Sequence, residues 1–273
     1  MPSALPHVRE AGSGAGVVCL HANASSSTQW RALMERLAPR CHVLAPDLYG
    51  AGKSPEWPSA ETIALADEVA LIAPVLAAAG TPLTLIGHSY GGAVALLAAL
   101  AEPARVRALV VYEPTLFALV DAAAPRPNDT EGIQAAIDAA ADTLDAGDRA
   151  RTAEHFIDYW MGPGSWRRMP EQRQAPIAAA AVNVRRWRHA LVEETTPLAA
   201  FRGLTMPVLY LVGKRSTAAA HAVARELVAT LPNVERIELD LGHMGPVTDP
   251  DVVNDVIVAF LERIGALAPL RAP

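Results

Sequence analysis

Short apolar runs alternate along this chain with longer stretches whose apolar residues recur at helical spacing. The short runs are GVVCLH (16–21), HVLAP (42–46), LTLIG (83–87), VRALVVY (106–112), VLYLVG (208–213) and VERIEL (234–239), and each predicts a strand. Between the first two, Trp30, Leu33, Met34 and Leu37 fall on one helical face. The last periodic stretch predicts a helix capped by Asp249, with Pro250 in its first turn. Its apolar stripe is Val252, Val253, Val256, Ile257, Phe260 and Leu261. Strands alternating with amphipathic helices predict an α/β fold, a mostly parallel central sheet flanked by helices.

From about residue 117 to 204 this rhythm breaks. No convincing strand occurs there, and the aromatic residues Phe117, Phe156, Tyr159, Trp160, Trp166 and Trp187 gather in it. The expected organisation is a core built from 1–116 and 205–273, with 117–204 as a helical cap over the sheet. A substrate pocket is expected among Phe117, Phe156, Tyr159, Trp160, Trp187 and Met244.

Composition narrows the class. The 273 residues carry a formal net charge of −6, which argues against a nucleic-acid partner. The opening MPSALPHVREAGSGAG lacks the apolar core of a signal peptide. Residues 80–101 carry no formal charge, but a GHSYGG turn breaks them, so a strand and a helix are expected there and no membrane span. Cys19 and Cys41 lack metal-ligand spacing and are expected as buried thiols. The resulting expectation is a soluble cytoplasmic protein that needs no cofactor and no metal, and acts on a small molecule.

Two motifs mislead. DLYGAGKS (47–54) ends like a phosphate-binding loop, but Asp47 stands where that loop needs glycine. GSGAG (12–16) precedes a strand, whereas a dinucleotide fingerprint follows one.

The decisive stretch is LTLIGHSYGGAVALLAAL, a strand, the turn Gly87-His88-Ser89-Tyr90-Gly91, and a helix. Such a turn strains its central residue and needs small neighbours two positions either side, where side chains would collide. It raises the Ser89 hydroxyl at the amino end of the helix, where partial positive charge favours a developing anion. On these residues the chain resembles the α/β-hydrolases over nearly its whole length outside the helical insertion. LHANASSSTQW (20–30) is similar to that family's oxyanion loop, with Ala22 where glycine is common. The resemblance implies that the backbone N–H groups of Asn23 and Tyr90 hold an oxyanion. The loop is also similar to that of haloalkane dehalogenases, but those use Asp as nucleophile and position 89 is Ser. APDLYGAGKS (45–54) resembles a further family loop in which Asp47 and the glycines are structural.

The resemblance places the base at His243, in LDLGHMGPVTDP between the last strand and the last helix. His88 and His21 are expected to be structural. The acid poses a puzzle. In most of the family it is an Asp after the strand matched by 208–213, which falls near Ser216. Ser216 cannot carry the charge and is expected to matter little. Some relatives, dehalogenases among them, supply the acid after the strand matched by 106–112, where VRALVVYEPTLF offers Glu113. Pro114 is expected to fix an extended strand end there. Asp240 or a weakened dyad are the alternatives to Glu113.

The expected activity is hydrolysis of a small ester or related acyl substrate through a Ser89–His243–Glu113 triad and an acyl-enzyme. A cofactor-free lyase, perhydrolase or carbon–carbon hydrolase would keep the same triad. A slow-turnover ligand receptor is the non-enzyme reading. Residues 151–202 hold Arg151, Arg167, Arg168, Arg173, Arg185, Arg186, Arg188 and Arg202 against five acids. That surplus raises the question of an anionic substrate, with a solvated helix face as the plainer account.

Overall fold

A computed structural model describes residues 5–58 and 62–268; for residues 182 and 184–186 it describes the backbone alone. The strands are β1 (Val8–Gly12), β2 (Ala15–Leu20), β3 (Cys41–Pro46), β4 (Leu83–His88), β5 (Val106–Tyr112), β6 (Val208–Gly213) and β7 (Val234–Leu239). They form one sheet in the order β1-β3-β2-β4-β5-β6-β7. Only β1 runs antiparallel, against β3; the other pairings are parallel. β4 and β6 are buried at every position, as interior strands of a sheet covered on both faces must be.

The helices are α1 (Arg31–Leu37), α2 (Leu65–Ala79), α3 (Tyr90–Ala101), α4 (Phe117–Ala123), α5 (Glu131–Asp145) and α6 (Arg149–Met161). They continue with α7 (Ser165–Arg168), α8 (Glu171–Ala180), α9 (Val184–Val192), α10 (Ala218–Thr230), α11 (Gly245–Thr248) and α12 (Pro250–Arg263). Side chains alternate across the sheet with period two. Val18 and Leu20 of β2 join an apolar cluster with α2, α3 and α10, whereas Val17 and Cys19 join a second cluster with α1 and α12. Both cysteines lie in that second cluster as free, buried thiols.

Two elements exceed the sequence expectation. β1 is an edge strand with Arg9 and Glu10 exposed, so its apolar signal is faint. In α2, Pro74 interrupts an alanine-rich helix whose N-terminus is held by Asp67 Oδ2 accepting from the Ala64 amide at 2.8 Å. The last helix also differs in detail. Val253, Ile257, Phe260 and Leu261 are buried, each contributing roughly 1.5–3 kcal/mol, but Val252 is exposed. Asp249 precedes α12 without capping it, because its carboxylate accepts from the Thr248 hydroxyl instead, at 2.7 Å.

Among the described residues between 117 and 204 there is no strand, and helices α4 to α9 fill the interval between β5 and β6. α4 packs on α10 and α9, so the insertion is anchored to the sheet's helices at its start. Parallel β4, β5 and β6 end side by side, which brings Ser89, Glu113 and the 213–216 loop to one carboxyl edge.

Candidate active site

Ser89 sits at φ 54°, ψ −119°, a conformation that costs a non-glycine residue about 1–3 kcal/mol. The strain is held in place by neighbours. A Cβ on Gly87 would meet Gly91 O at 2.4 Å, and one on Gly91 would meet Leu20 O at 2.3 Å. The Ser89 amide donates to Tyr112 O at 2.9 Å, while its carbonyl accepts from Gly92 and Ala93 at 2.9 and 3.1 Å. The hydroxyl is thereby aimed along the sheet edge at His243.

The structure brings Ser89, His243 and Glu113 together, at 5%, 2% and 1% exposure respectively. Ser89 Oγ lies 2.9 Å from His243 Nε2, and His243 Nδ1 lies 2.6 Å from Glu113 Oε2. An ionised carboxylate only accepts, so Nδ1 carries the proton and Nε2 faces the serine hydroxyl as acceptor. That tautomer is the one a general base requires. The loop carrying His243 is tied down by Tyr112, whose hydroxyl donates to Gly242 O at 2.7 Å.

Glu113 departs from the extended strand end expected beside Pro114. Its φ is 45°, because the chain must turn at once to drop the carboxyl beneath the imidazole. Three bonds hold the group there. Oε1 accepts from the Gly213 amide at 2.6 Å, and Oε2 accepts from His243 and from the Ser216 hydroxyl, the latter also at 2.6 Å. Ser216, expected to matter little, therefore steadies the Glu113 carboxylate. The alternative acid Asp240 is exposed, 3.7 Å from the Arg215 guanidinium.

A second network escaped the sequence reading. His88 Nε2 donates to the His243 carbonyl at 2.8 Å, and its Nδ1 accepts from Gln29 Nε2 at 3.1 Å. Gln29 Oε1 in turn accepts from the Ala22 amide at 3.2 Å. The variable residue of the elbow thus links the loop at 20–30 to the backbone of His243. Burial first, then the neighbouring His243, pushes His88 well below the ordinary imidazole range, so it stays neutral. Burial also lowers His21, whose Nδ1 donates to Ala22 O at 2.7 Å and whose Nε2 accepts from the Leu48 amide at 3.0 Å. Both histidines are occupied in holding the backbone.

Asp47 clamps two loops. Its carboxylate accepts from the Ser27 amide at 2.6 Å and the Lys53 amide at 2.9 Å. Burial works to raise it, but these amides prevail and keep it below the usual carboxylate range. Asn23 lines the cavity beside Ser89. Tyr90 begins α3, where an amide has no intrahelical acceptor. Ala24, next in the loop, has φ 54°.

Residues 17–256 match the alpha/beta hydrolase family. The chain belongs to that family. It is 39% identical over 113 residues to lipase LipV of Mycobacterium tuberculosis, a match covering 40% of this chain and 42% of LipV. The chain thus spans less than half the length of that relative. A pimeloyl-(acyl-carrier protein) methyl ester esterase of Aliivibrio salmonicida is 27% identical over 246 residues, covering 86% of this chain and 87% of the esterase. Among solved structures, an alpha/beta hydrolase from Sphaerobacter thermophilus superposes with a TM-score of 0.71 at 28% identity, covering 93% of this chain and 95% of that one.

In this alpha/beta hydrolase a cavity of about 1040 Å³ opens onto Ser89 and His243. Of the six residues expected around a substrate, Phe156, Trp160, Trp187 and Met244 line it. Phe117 and Tyr159 do not. Phe117 is fully buried behind Trp160, with ring centroids 6.2 Å apart, and Tyr159 packs edge-on to the same indole at 4.8 Å. Trp160 itself stacks on His243, with centroids 3.7 Å apart and planes 20° from parallel.

Of the eight arginines in residues 151–202, three form ion pairs among the described residues. Arg151 and Arg167 both bind Glu154, and Arg188 binds Asp138. Arg173 lines the cavity, while the side chains of Arg185 and Arg186 lie outside the described residues. Among the described residues no cluster of His, Cys, Asp and Glu suits a metal ion, and no helix is long and apolar enough to cross a membrane.

Proposed function

We propose that this chain is a serine hydrolase that cleaves a small ester, or a related acyl substrate, through an acyl-enzyme. The reading rests on the hydrogen-bonded line Ser89 Oγ, His243 Nε2, His243 Nδ1, Glu113 Oε2 at 2.9 and 2.6 Å. Ser89 attacks the carbonyl carbon as its proton passes to His243. The negative charge on the carbonyl oxygen is received by the amides of Asn23 and Tyr90, each donor contributing about 3 kcal/mol to lowering the barrier. His243 then protonates the leaving alcohol. In the second half-reaction it takes a proton from water as the water oxygen adds to the acyl carbon, then returns that proton to Ser89 Oγ as the bond to Oγ breaks and the acid leaves.

Residues 117–204 serve in this account as a helical cap on a core of 1–116 and 205–273, and supply most of the apolar cavity wall. Esterase and lipase names among the relatives favour acyl chemistry over the other reactions the fold hosts. Hydrolysis of p-nitrophenyl esters of graded acyl length tests the proposal. Turnover by the parent and its loss, by a factor on the order of 10⁴ or more, in Ser89→Ala is the expected result. Equal rates in the two proteins would refute it.

A further inference from the structure

The stacking of Trp160 on His243 has no part in the triad as described above, yet it is the closest ring contact at the site. The two partners of the imidazole lie in its ring plane, Glu113 at Nδ1 and Ser89 at Nε2. Trp160 covers one face instead, at 3.7 Å between centroids. The three interactions use different directions and do not compete.

Trp160 is held there by other rings. Phe117 stacks on it, Phe156 meets it edge-on at 6.2 Å, and Tyr159 does so at 4.8 Å. The indole is 7% exposed, so little water shares that face of the imidazole. His88 also approaches the His243 ring, at 5.2 Å, but it is neutral and tilted by 47°. The aromatic residues of the insertion thus form a bracket that presents one indole face to one imidazole.

An aromatic face is electron-rich and attracts a cation more strongly than a neutral ring, most of all where water is excluded. His243 becomes a cation when the proton leaves Ser89 Oγ for Nε2. We propose that Trp160 is a positioning residue of the reaction, whose indole face stabilises the imidazolium that His243 becomes in the transition state. An interaction that strengthens only as charge develops lowers the barrier without tightening substrate binding. Both half-reactions place that charge on His243, so kcat reports the effect whichever step limits. The inference rests on the triad proposed above.

The test keeps the shape of the residue and changes its electrons. Mono-, di- and trifluorotryptophan are placed at position 160 alone, leaving Trp30, Trp57, Trp166 and Trp187 unchanged, and p-nitrophenyl acetate hydrolysis is measured. Each fluorine withdraws charge from the indole face. A stepwise fall in kcat is expected, with KM constant within about twofold. Trp160→Phe should keep most of kcat, and Trp160→Leu should lose about ten- to thirtyfold. A kcat that is flat across the fluorinated series, in an enzyme whose activity still depends on Ser89, would overturn this inference and leave the triad standing. Activity independent of Ser89 would remove both.

Discussion

The carboxyl edge of the sheet and the inserted helices meet over the same imidazole but hold their side chains by different means. On the sheet side, position is fixed by backbone. Among the described residues, the non-glycine positions with positive φ are Ala24, Ser89 and Glu113, all at the site. Ser89 and Glu113 are locked by buried hydrogen bonds. On the helical side, position is fixed by ring against ring, from Phe117 through Trp160 to His243, and the charges form exposed pairs such as Arg151–Glu154. Exposed pairs of that kind contribute about 0–1 kcal/mol. The difference separates two tasks. Chemistry needs atoms placed to tenths of an ångström, which strained loops on a rigid sheet supply. Shaping the cavity, the task left to the helical residues other than Trp160, tolerates looser packing.

Substitutions on either side should therefore fail in different ways, and the largest failure is expected on the sheet. Glu113→Gln leaves His243 without a charged acceptor at Nδ1 and should lower kcat about 10³- to 10⁴-fold with KM little changed. A loss below tenfold would mean that the carboxylate only packs. On the helical side, Trp187→Ala enlarges the cavity wall and should raise KM for short acyl esters about tenfold while kcat moves far less. If kcat falls instead with KM constant, the division between the two regions is wrong.

Ser216→Ala sharpens the comparison within the sheet edge. It removes one of the three donors to Glu113 but leaves Gly213 and His243, so kcat should fall about three- to tenfold. Ser216→Thr, which retains a hydroxyl, should recover part of the loss.

The smallest effect on turnover is expected at Glu68, which is buried in α2 and accepts from the Tyr49 amide at 3.2 Å and the Tyr90 hydroxyl at 3.3 Å. Burial pushes this carboxyl up from 4.5 to about 8, against those two hydrogen bonds. The folded state therefore holds a proton that the unfolded state releases. The stability this contributes is fully present below about pH 4.5 and is lost as pH rises through about 8. The midpoint of thermal unfolding should fall over that window in the parent. In Glu68→Gln the fall should be shallower by roughly 5 °C, with kcat nearly unchanged at pH 7. Parallel curves for the two proteins would count against a raised carboxyl.

Much of this was legible in the sequence wherever the signal is local. Six strands announce themselves as apolar runs, and the elbow needs only five consecutive residues. Glu113 stands at a strand end beside the elbow, and its candidacy comes from the resemblance to relatives that supply the acid there. β1 and α2 were harder, because an edge strand is half polar and Pro74 interrupts the pattern of its helix. Contacts between distant segments leave no local trace. The bond from Ser216 to Glu113 spans 103 positions and that from Gln29 to His88 spans 59, and neither hydroxyl nor amide declares its partner. The aromatics show the same limit. Sequence shows that rings gather in the insertion, but only the docking of α6 decides that Trp160 meets the imidazole while Phe117 and Tyr159 stand behind it.

The central claim is that Ser89 is made nucleophilic by His243. The most direct measurement is the site and rate of covalent labelling by a fluorophosphonate, read by intact-protein and peptide mass. The account predicts a single adduct, on Ser89, that is absent in Ser89→Ala and forms far more slowly in His243→Ala. An adduct on another residue, or one that forms as fast without the imidazole, would contradict it.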